Sequence, residues 1–194
     1  MRRRPFIVGL SALAISAAAG GYLLWQNGRL RQAAAVGGPF ALIDGDGRRV
    51  TEADFKGKWL MIFFGYTFCP DACPTALSAM AEAMDRLGAE ADRLQPIFIT
   101  IDPERDTPQV MKEYVGNFGP KIVGLTGTVA EIDAVARSFR VYYKKAGEGA
   151  NYLMDHSTAI LVMDPDFKFA GIIPGDAKPA QMIERLNQLM HQGS

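Results

Sequence analysis

The 194-residue chain contains few residues of the two types that combine metal binding with redox or proton chemistry. It has two cysteines and two histidines, and its 21 basic residues equal its 21 acidic residues. Two cysteines are too few for a disulfide-rich secreted fold, and the balanced charge argues against a protein that binds nucleic acid by neutralising phosphates. At this length we expect one ordinary domain that buries a core without disulfides.

The zero net charge conceals an uneven distribution of charge along the chain. Residues 1–31 contain five arginines and no acidic residue, which leaves 16 basic and 21 acidic residues in the remainder. The head of the chain is therefore basic, and the body is mildly acidic.

A run of residues without charge, from Phe6 to Trp25, follows the three arginines of the head. As a helix this run would be about 30 Å long, the thickness of one hydrocarbon core. We therefore predict a transmembrane anchor over residues 6–25, with residues 1–5 as a cytoplasmic stub according to the positive-inside rule. In a bacterium the body of the chain would then lie on the periplasmic side of the inner membrane.

A cleaved signal peptide is the alternative for this segment, because Ala17-Ala18-Ala19 matches a small-residue cleavage pattern. The apolar residues continue through Tyr22–Trp25, which favours an uncleaved anchor. The body is exported in either case. Residues 26–38 are polar and then small, which is typical of a linker, so the folded domain is predicted to cover residues 39–194.

Short apolar runs alternate with amphipathic segments along this domain. Trp59–Phe64 and Pro96–Ile101 are continuously apolar, as expected of strands buried on both faces. Apolar residues spaced by three and four follow each run and indicate helices. Two further strands, residues 159–163 and 169–173, precede a closing helix. This order predicts an α/β domain whose mixed sheet is flanked by helices.

Both cysteines lie in one proline-bounded segment, Gly65–Pro74 (GYTFCPDACP), between the first buried strand and a helix. The carboxyl end of a strand is where α/β proteins place their functional sites. Pro74 favours a helix that starts near it, with Cys73 close to the N-terminus. This position is expected to lower the thiol pKa and to favour the thiolate, which binds metals and attacks disulfides.

Cys69 and Cys73 could also have a purely structural role, in one of two ways. They would be small core residues in the simplest interpretation, but exposed thiols of an exported chain oxidise readily and need a reason to be there. A structural disulfide is the stronger alternative, although it would close a very small loop and add little stability. A functional pair is the favoured interpretation.

His156 is the second candidate element, in a predicted turn that enters the strand at residues 159–163. The other histidine, His191, is close to the C-terminus and is expected to be solvated. If His156 meets the cysteines in space, two thiolates and one imidazole would suit copper or zinc, and the thiolates would favour Cu(I). Met154 is a weaker candidate for an additional soft ligand.

Charged residues beside these segments have simpler interpretations. Asp71 and Asp155 flank the candidate ligands and are expected in exposed turns, with hydrogen bonding to the ligands as the alternative. Residues 102–108 (DPERDTP) are typical of a turn followed by a capped helix, with Thr107 as the N-cap. The remaining charges of this segment are expected on the surface: Glu104, Arg105 and Asp106.

Three stretches of the chain resemble the SCO/SenC family of membrane-anchored, thioredoxin-like copper proteins. They are DFKGKWLMIFFGYTFCPDACPTAL (54–77), FITIDPERDTP (98–108) and DHSTAILVMDP (155–165). The family tends to carry a tyrosine in the strand where this chain has Ile160-Leu161, a difference that bears on packing beside the histidine. The resemblance implies a thioredoxin-like fold.

The resemblance also implies that Cys69, Cys73 and His156 bind copper, as Cu(I) and/or Cu(II). It further implies delivery of copper to the dinuclear centre of cytochrome c oxidase subunit II or another copper acceptor, or reduction of the acceptor cysteines, with a thiol reductant as a further partner. The alternative is a thiol:disulfide oxidoreductase or peroxidase-like enzyme with Cys69 and Cys73 as its redox-active pair. Such enzymes usually carry C-x-x-C and need no histidine, so a copper chaperone is the favoured function.

Overall fold

A buried strand, β3 (Trp59–Gly65), lies at the centre of the fold. In the computed structural model, which describes residues 36–149 and 151–192, every residue of β3 is buried. Its neighbours are β4 (Leu94–Thr100), which runs parallel to it, and β8 (Ile160–Met163), which runs antiparallel. The continuous apolar sequence WLMIFFG suits this position because both faces of the strand contact hydrophobic layers.

Within the described residues, β3 belongs to a seven-stranded sheet with the order β2-β1-β5-β4-β3-β8-β9. The other strands of this sheet are β1 (Ala41–Asp44), β2 (Arg49–Thr51), β5 (Val123–Thr126) and β9 (Phe169–Ile173). The strands β5, β4 and β3 are parallel, and antiparallel pairs extend the sheet on both sides. The predicted mixed sheet is therefore confirmed.

Four α-helices accompany the sheet in the part of the chain that the structure describes. They are α1 (Ala72–Leu87), α2 (Pro108–Gly116), α3 (Val129–Ser138) and α4 (Pro179–Gln192). Two short 3-10 helices, Glu52–Phe55 and Gly88–Arg93, are additional to the prediction. The predicted cap of α2 is confirmed, because the Val110 N–H donates to the Thr107 hydroxyl and Pro108 occupies the first turn.

Adjacent phenylalanines of β3 pack on opposite faces of the sheet. Phe63 stacks on Phe98 of β4, whose ring contacts Tyr114 of α2. Phe64 packs against Phe139, directly after α3. Successive residues of a strand point to opposite sides, so the two rings bury two separate layers of apolar side chains. The sheet is thus covered on both faces.

A two-stranded antiparallel sheet, β6 (Tyr143–Ala146) and β7 (Leu153–His156), lies outside the main sheet. We call it the β6–β7 hairpin. The sequence predicts an extended segment from Val141 but only a turn around His156; instead, His156 is the last residue of β7 and pairs with Tyr143. This hairpin positions the candidate histidine ligand.

The predicted transmembrane segment, residues 6–25, lies outside the described residues. Over residues 36–149 and 151–192, no helix combines the length and the apolar character that a membrane crossing requires. Val36–Ser194 forms one compact unit.

Gly65 ends β3 at a point where other side chains approach its backbone closely. A Cβ atom there would lie 2.6 Å from the Cys73 Sγ and 2.8 Å from the Phe98 ring. Because a packed interior has no room for this methyl group, we expect Gly65→Ala to lower the free energy of unfolding by about 1–3 kcal/mol. Urea denaturation of the reduced protein measures the change. Gly116→Ala is the control, since a Cβ at Gly116 meets nothing within 4 Å; equal stability of both variants would contradict the prediction.

Candidate metal centre

The two cysteines lie at the start of α1, beyond the carboxyl end of β3. Cys69 is partly buried in the loop that leaves β3, and Cys73, the second residue of α1, is fully buried; both are free thiols. The Cys73 N–H donates to the Cys69 Sγ at 3.4 Å, and the Cys69 N–H donates to the Tyr66 carbonyl at 3.3 Å. We call residues 66–73 the cysteine loop. It includes the first two residues of α1, and the hydrogen bond from the Cys73 N–H holds Cys69 against the start of that helix.

The pKa of Cys73 differs from the sequence prediction. Its place near the N-terminus of α1 predicts a lowered pKa, whereas burial raises the pKa of the Cys73 thiol far above its ordinary value, with Cys69 and Asp106 adding to the shift. Removal of the thiolate from water outweighs the helix terminus because Cys73 is completely shielded. In the metal-free protein Cys73 is therefore a neutral thiol, and a metal ion has to displace its proton.

His156 presents its unprotonated nitrogen to the cysteines, where it accepts a hydrogen bond from the Cys73 thiol in the metal-free protein. Its Nδ1 lies 2.9 Å from the Ser157 carbonyl oxygen, and its Nε2 lies 3.8 Å from the Cys73 Sγ. A carbonyl only accepts hydrogen bonds, so Nδ1 carries the proton and Nε2 is the unprotonated nitrogen. Burial lowers the pKa of His156 below 6.5, which keeps the ring neutral at pH 7. The rings of Phe63 and Tyr66 meet the imidazole edge to face and fix its plane.

The structure thus brings together the three residues that the sequence singles out. The two Sγ atoms and one imidazole nitrogen of Cys69, Cys73 and His156 all lie within 4.8 Å of one another. Thiolate sulfur and neutral imidazole are ligands for copper and zinc, and two soft sulfurs favour Cu(I). With three protein ligands, a further position is open to an incoming group. The donor set fits a copper ion in both chemistry and spacing.

A buried carboxylate, Asp106, connects the cysteine loop to the loop after β4. It is shielded from solvent and accepts hydrogen bonds from the Thr67 N–H (3.1 Å), the Thr67 hydroxyl (2.5 Å) and the Thr100 hydroxyl (2.6 Å). Burial raises the pKa of Asp106, although the three hydrogen bonds oppose the shift. The prediction that Asp106 lies on the surface is therefore wrong, because the loop after β4 folds beneath the cysteine loop.

Arg105 is also less exposed than expected, with 21% of its side-chain surface accessible, whereas Glu104 lies on the surface as predicted. The Arg105 Nε donates to the buried carboxylate of Asp102, whose other oxygen accepts from the Tyr152 hydroxyl at 2.6 Å. Sequence reasoning missed Asp102 and Tyr152. The available signal was a dense group of charged residues directly after a strand that is buried on both faces.

The other residues near the predicted site have ordinary surroundings. Asp71 and Asp155 are exposed, as expected of turn aspartates. Met154 is partly buried and packs against the hydrophobic core. His191 is exposed on α4, where its Nδ1 donates to the Asn187 carbonyl at 2.7 Å. Among the described residues, the group that could hold a metal ion therefore consists of the two cysteines and His156.

Fold and site together define a class of protein, namely a thioredoxin-like α/β domain with a candidate metal site of two thiols and one imidazole beyond its central strand. The SCO1/SenC family model matches residues 28–191. The chain belongs to this family, which confirms the resemblance seen in its sequence.

Two solved structures with copper bound share this fold. Arabidopsis thaliana ScoI has a TM-score of 0.77 and 43% sequence identity, covering 81% of this chain and 99% of that chain. Bradyrhizobium japonicum ScoI has a TM-score of 0.74 and 44% identity, covering 80% of this chain and 99% of that chain. Copper is thus the metal that both relatives bind.

A curated relative, "Protein SCO1 homolog 1, mitochondrial" of Arabidopsis thaliana, is 50% identical over 138 residues, which cover 70% of this chain and 41% of the relative. The chain spans about half the length of the curated relatives that it matches.

Replacing Asp106 separates its hydrogen bonds from its charge. We expect Asp106→Ala to lower the free energy of unfolding by about 3 kcal/mol or more, because one buried donor, from Thr100, and two partly buried donors, from Thr67, lose their acceptor. Asp106→Asn should lose much less, since its amide oxygen accepts from the Thr67 N–H and the Thr100 hydroxyl while its N–H donates to the Thr67 hydroxyl. Urea denaturation measures both changes, and equal losses in the two variants would contradict the role of these hydrogen bonds.

Comparison of the wild type with Asp106→Asn also tests how the free energy of unfolding depends on pH. Because the folded-state pKa of Asp106 is raised above 3.8, the folded protein binds this proton more readily than the unfolded chain. The wild type should therefore gain stability relative to Asp106→Asn as the pH falls through the raised pKa towards 3.8. A stability difference that stays constant over this range would refute the role of the charge.

Proposed function

We propose that the protein is a membrane-anchored copper chaperone that holds copper through Cys69, Cys73 and His156 and passes it to a thiol-containing acceptor. The observation that carries the proposal is the convergence of three ligand atoms within 4.8 Å, with the unprotonated Nε2 facing the Cys73 sulfur. A soft sulfur pair with one neutral nitrogen retains copper in both oxidation states, whereas hard ions prefer oxygen.

The exposures of the ligands suit transfer by ligand exchange. Cys73 is fully buried, and Cys69 is partly exposed beside Phe68, a residue that is 51% exposed. An acceptor thiolate therefore reaches the copper ion from the Cys69 side and binds at the open position before the Cys69 sulfur is released. Each chain thiol that binds copper loses its proton and recovers one when copper leaves, so loading acidifies the medium.

The proposed acceptor is the dinuclear copper centre of cytochrome c oxidase subunit II, or another exported copper-accepting protein. Family resemblance supports this proposal, and so does the chemistry: a site with two thiolates exchanges copper most readily with other thiolates. Acceptor cysteines accept copper only when reduced, so a thiol reductant is a further partner.

A thiol:disulfide oxidoreductase is the second candidate function. In its favour, both cysteines are free thiols, and the Cys73 N–H donates to the Cys69 Sγ at 3.4 Å. Against it, burial raises the pKa of Cys73, which makes the attacking thiolate of that residue scarce. The oriented histidine also has no role in simple thiol exchange, whereas copper binding uses it directly.

Copper titration of the reduced full chain under anaerobic conditions distinguishes the two functions. We expect stoichiometric binding of Cu(I) and Cu(II). His156→Ala should weaken Cu(II) binding by at least about a hundredfold, because even the loss of a group that supports a ligand costs about 10–100-fold. His191→Ala is the matched control and should bind copper as the wild type does, since His191 lies exposed on α4. Copper binding indifferent to His156, together with rapid reduction of a generic disulfide, would establish the oxidoreductase instead.

The membrane anchor completes the proposal. Residues 1–5 form the cytoplasmic stub, residues 6–25 cross the inner membrane, and residues 26–38 connect the anchor to the periplasmic domain. The uncharged run and its flanking arginines support this topology. Donor and acceptor held on one membrane meet more often without any additional contact between them.

Carbonate extraction of cells that express the full chain tests the anchor. We expect the protein to remain in the membrane pellet with its N-terminus intact, because a span of about 20 apolar residues is not released by high pH. Exchange of Leu10 and Leu23 for arginine should release the protein, whereas exchange for isoleucine should not. A mature N-terminus near Gly20 would show that the segment is a cleaved signal peptide.

A further inference from the structure

The ligands of the proposed copper site come from two separate parts of the fold. Cys69 and Cys73 belong to the cysteine loop, and His156 lies 83 positions after Cys73, at the end of the β6–β7 hairpin. The hairpin is not part of the main sheet. Contacts other than the hydrogen bonds of the main sheet therefore help to hold it against the cysteine loop.

One side chain, Arg105, contacts both parts. Its guanidinium carbon lies 4.9 Å from the ring centroid of Phe68, in the cysteine loop, and 3.6 Å from that of Tyr152, directly before β7. A planar cation over two aromatic faces is attracted to both rings, and the geometry suits arginine better than lysine because the guanidinium group also stacks.

Arg105 is itself fixed by hydrogen bonds. Its Nε donates to Asp102, and its Nη1 donates to the Tyr152 carbonyl at 3.0 Å. Asp102, which is only 3% exposed, also accepts from the Tyr152 hydroxyl at 2.6 Å. The Asp102 side of the ion pair is buried and the Arg105 side is only partly exposed, so the pair restrains its partners more strongly than a surface pair does. We call Phe68, Asp102, Arg105 and Tyr152 the Arg105 cluster.

We propose that Arg105 is a positioning residue of the copper site, which holds the β6–β7 hairpin against the cysteine loop so that His156 and the two cysteines face one ion. This inference rests on the proposed function. Arg105 acts on the ligands through aromatic rings: Phe68, Tyr152 and also Tyr66, whose ring centroid lies 5.8 Å from the guanidinium carbon and which packs against His156.

Loss of the Arg105 contacts should affect the histidine more than the cysteines. The cysteine loop is held independently by Asp106 through Thr67, and Cys73 is part of α1. The hairpin retains the hydrogen bond from the Tyr143 hydroxyl to Asp133 of α3, so it should loosen without unfolding. Two thiolates satisfy Cu(I), whereas Cu(II) depends more on the imidazole nitrogen.

Arg105→Lys tests the inference because it keeps the positive charge and removes the stacking plane. In the reduced full chain we expect Cu(II) affinity to fall by about tenfold or more, as for other residues that orient a metal ligand. Cu(I) affinity should change much less. The nitrogen hyperfine coupling of the Cu(II) electron paramagnetic resonance spectrum should weaken towards that of His156→Ala. Arg93→Lys is the matched control, since Arg93 pairs with Glu90 on the surface and should bind copper normally.

Hydrogen exchange provides a readout that requires no copper. In the metal-free protein, the amides of the β6–β7 hairpin should exchange faster in Arg105→Lys than in the wild type, with those of β3 and β4 unchanged. Tyr152→Phe is the second variant, because it keeps the ring beneath the guanidinium group and removes only the hydrogen bond to Asp102. It should weaken Cu(II) binding by about threefold, as expected for one hydrogen bond.

Wild-type Cu(II) affinity and nitrogen coupling in Arg105→Lys would overturn the positioning role. Equal losses of Cu(I) and Cu(II) affinity, with faster exchange throughout the sheet, would also overturn it, because they would indicate general destabilisation. Failure of the proposed function is distinguishable: wild type and His156→Ala would then bind copper equally. In that case the exchange rates of the hairpin amides in Arg105→Lys still decide whether Arg105 holds the hairpin.

Discussion

The hydrogen bond from His156 Nδ1 to the Ser157 carbonyl determines what the site is able to bind. It assigns the ring proton to Nδ1 and leaves the Nε2 lone pair directed at the Cys73 sulfur, 3.8 Å away. In the other tautomer an N–H group would face the sulfurs, and the ring would be no ligand. Burial keeps the ring neutral, and Phe63 and Tyr66 restrict its rotation. The third ligand position, on which Cu(II) depends most, exists only because this nitrogen is available.

Two buried carboxylates in one loop then determine where the ligand-bearing segments lie. Asp106 accepts hydrogen bonds from Thr67 in the cysteine loop, and Asp102 accepts one from Tyr152 beside the β6–β7 hairpin. A buried charge is tolerated only when hydrogen bonds or a counter-ion satisfy it, and both aspartates meet that condition. Asp102 and Asp106 are four positions apart in the same loop. The cysteine loop and the β6–β7 hairpin are therefore both held against that loop. The loop after β4 therefore acts as the common support of the site.

The sequence was sufficient for the parts of the fold in which local pattern and tertiary environment agree. The apolar runs of β3 and β4 and the capped start of α2 follow from burial on two faces and from the cap chemistry of Thr107. The sequence does not predict β7, because its four residues, LMDH, show too little periodicity to indicate a strand. The raised pKa of Cys73 and the burial of Asp106 depend on which segments cover them, and charge or position in a local sequence does not reveal that. The meeting of His156 with the cysteines likewise required either the fold or the family resemblance.

The two cysteines are unequally buried, so the site is accessible from the Cys69 side. Cys73 is shielded, and its raised pKa means that a metal ion binds there only by driving off a firmly held proton. The same burial makes the Cys73 sulfur less accessible to water and to competing thiols than the Cys69 sulfur. Cys69 lies partly exposed in the loop, where the sulfur of the proposed acceptor would reach it without movement of the core. The proposed function as a copper carrier requires both properties, because a carrier has to retain copper against dilute competitors and release it to one correctly placed acceptor. Two equally exposed cysteines would lose the first property, and two equally buried ones would lose the second.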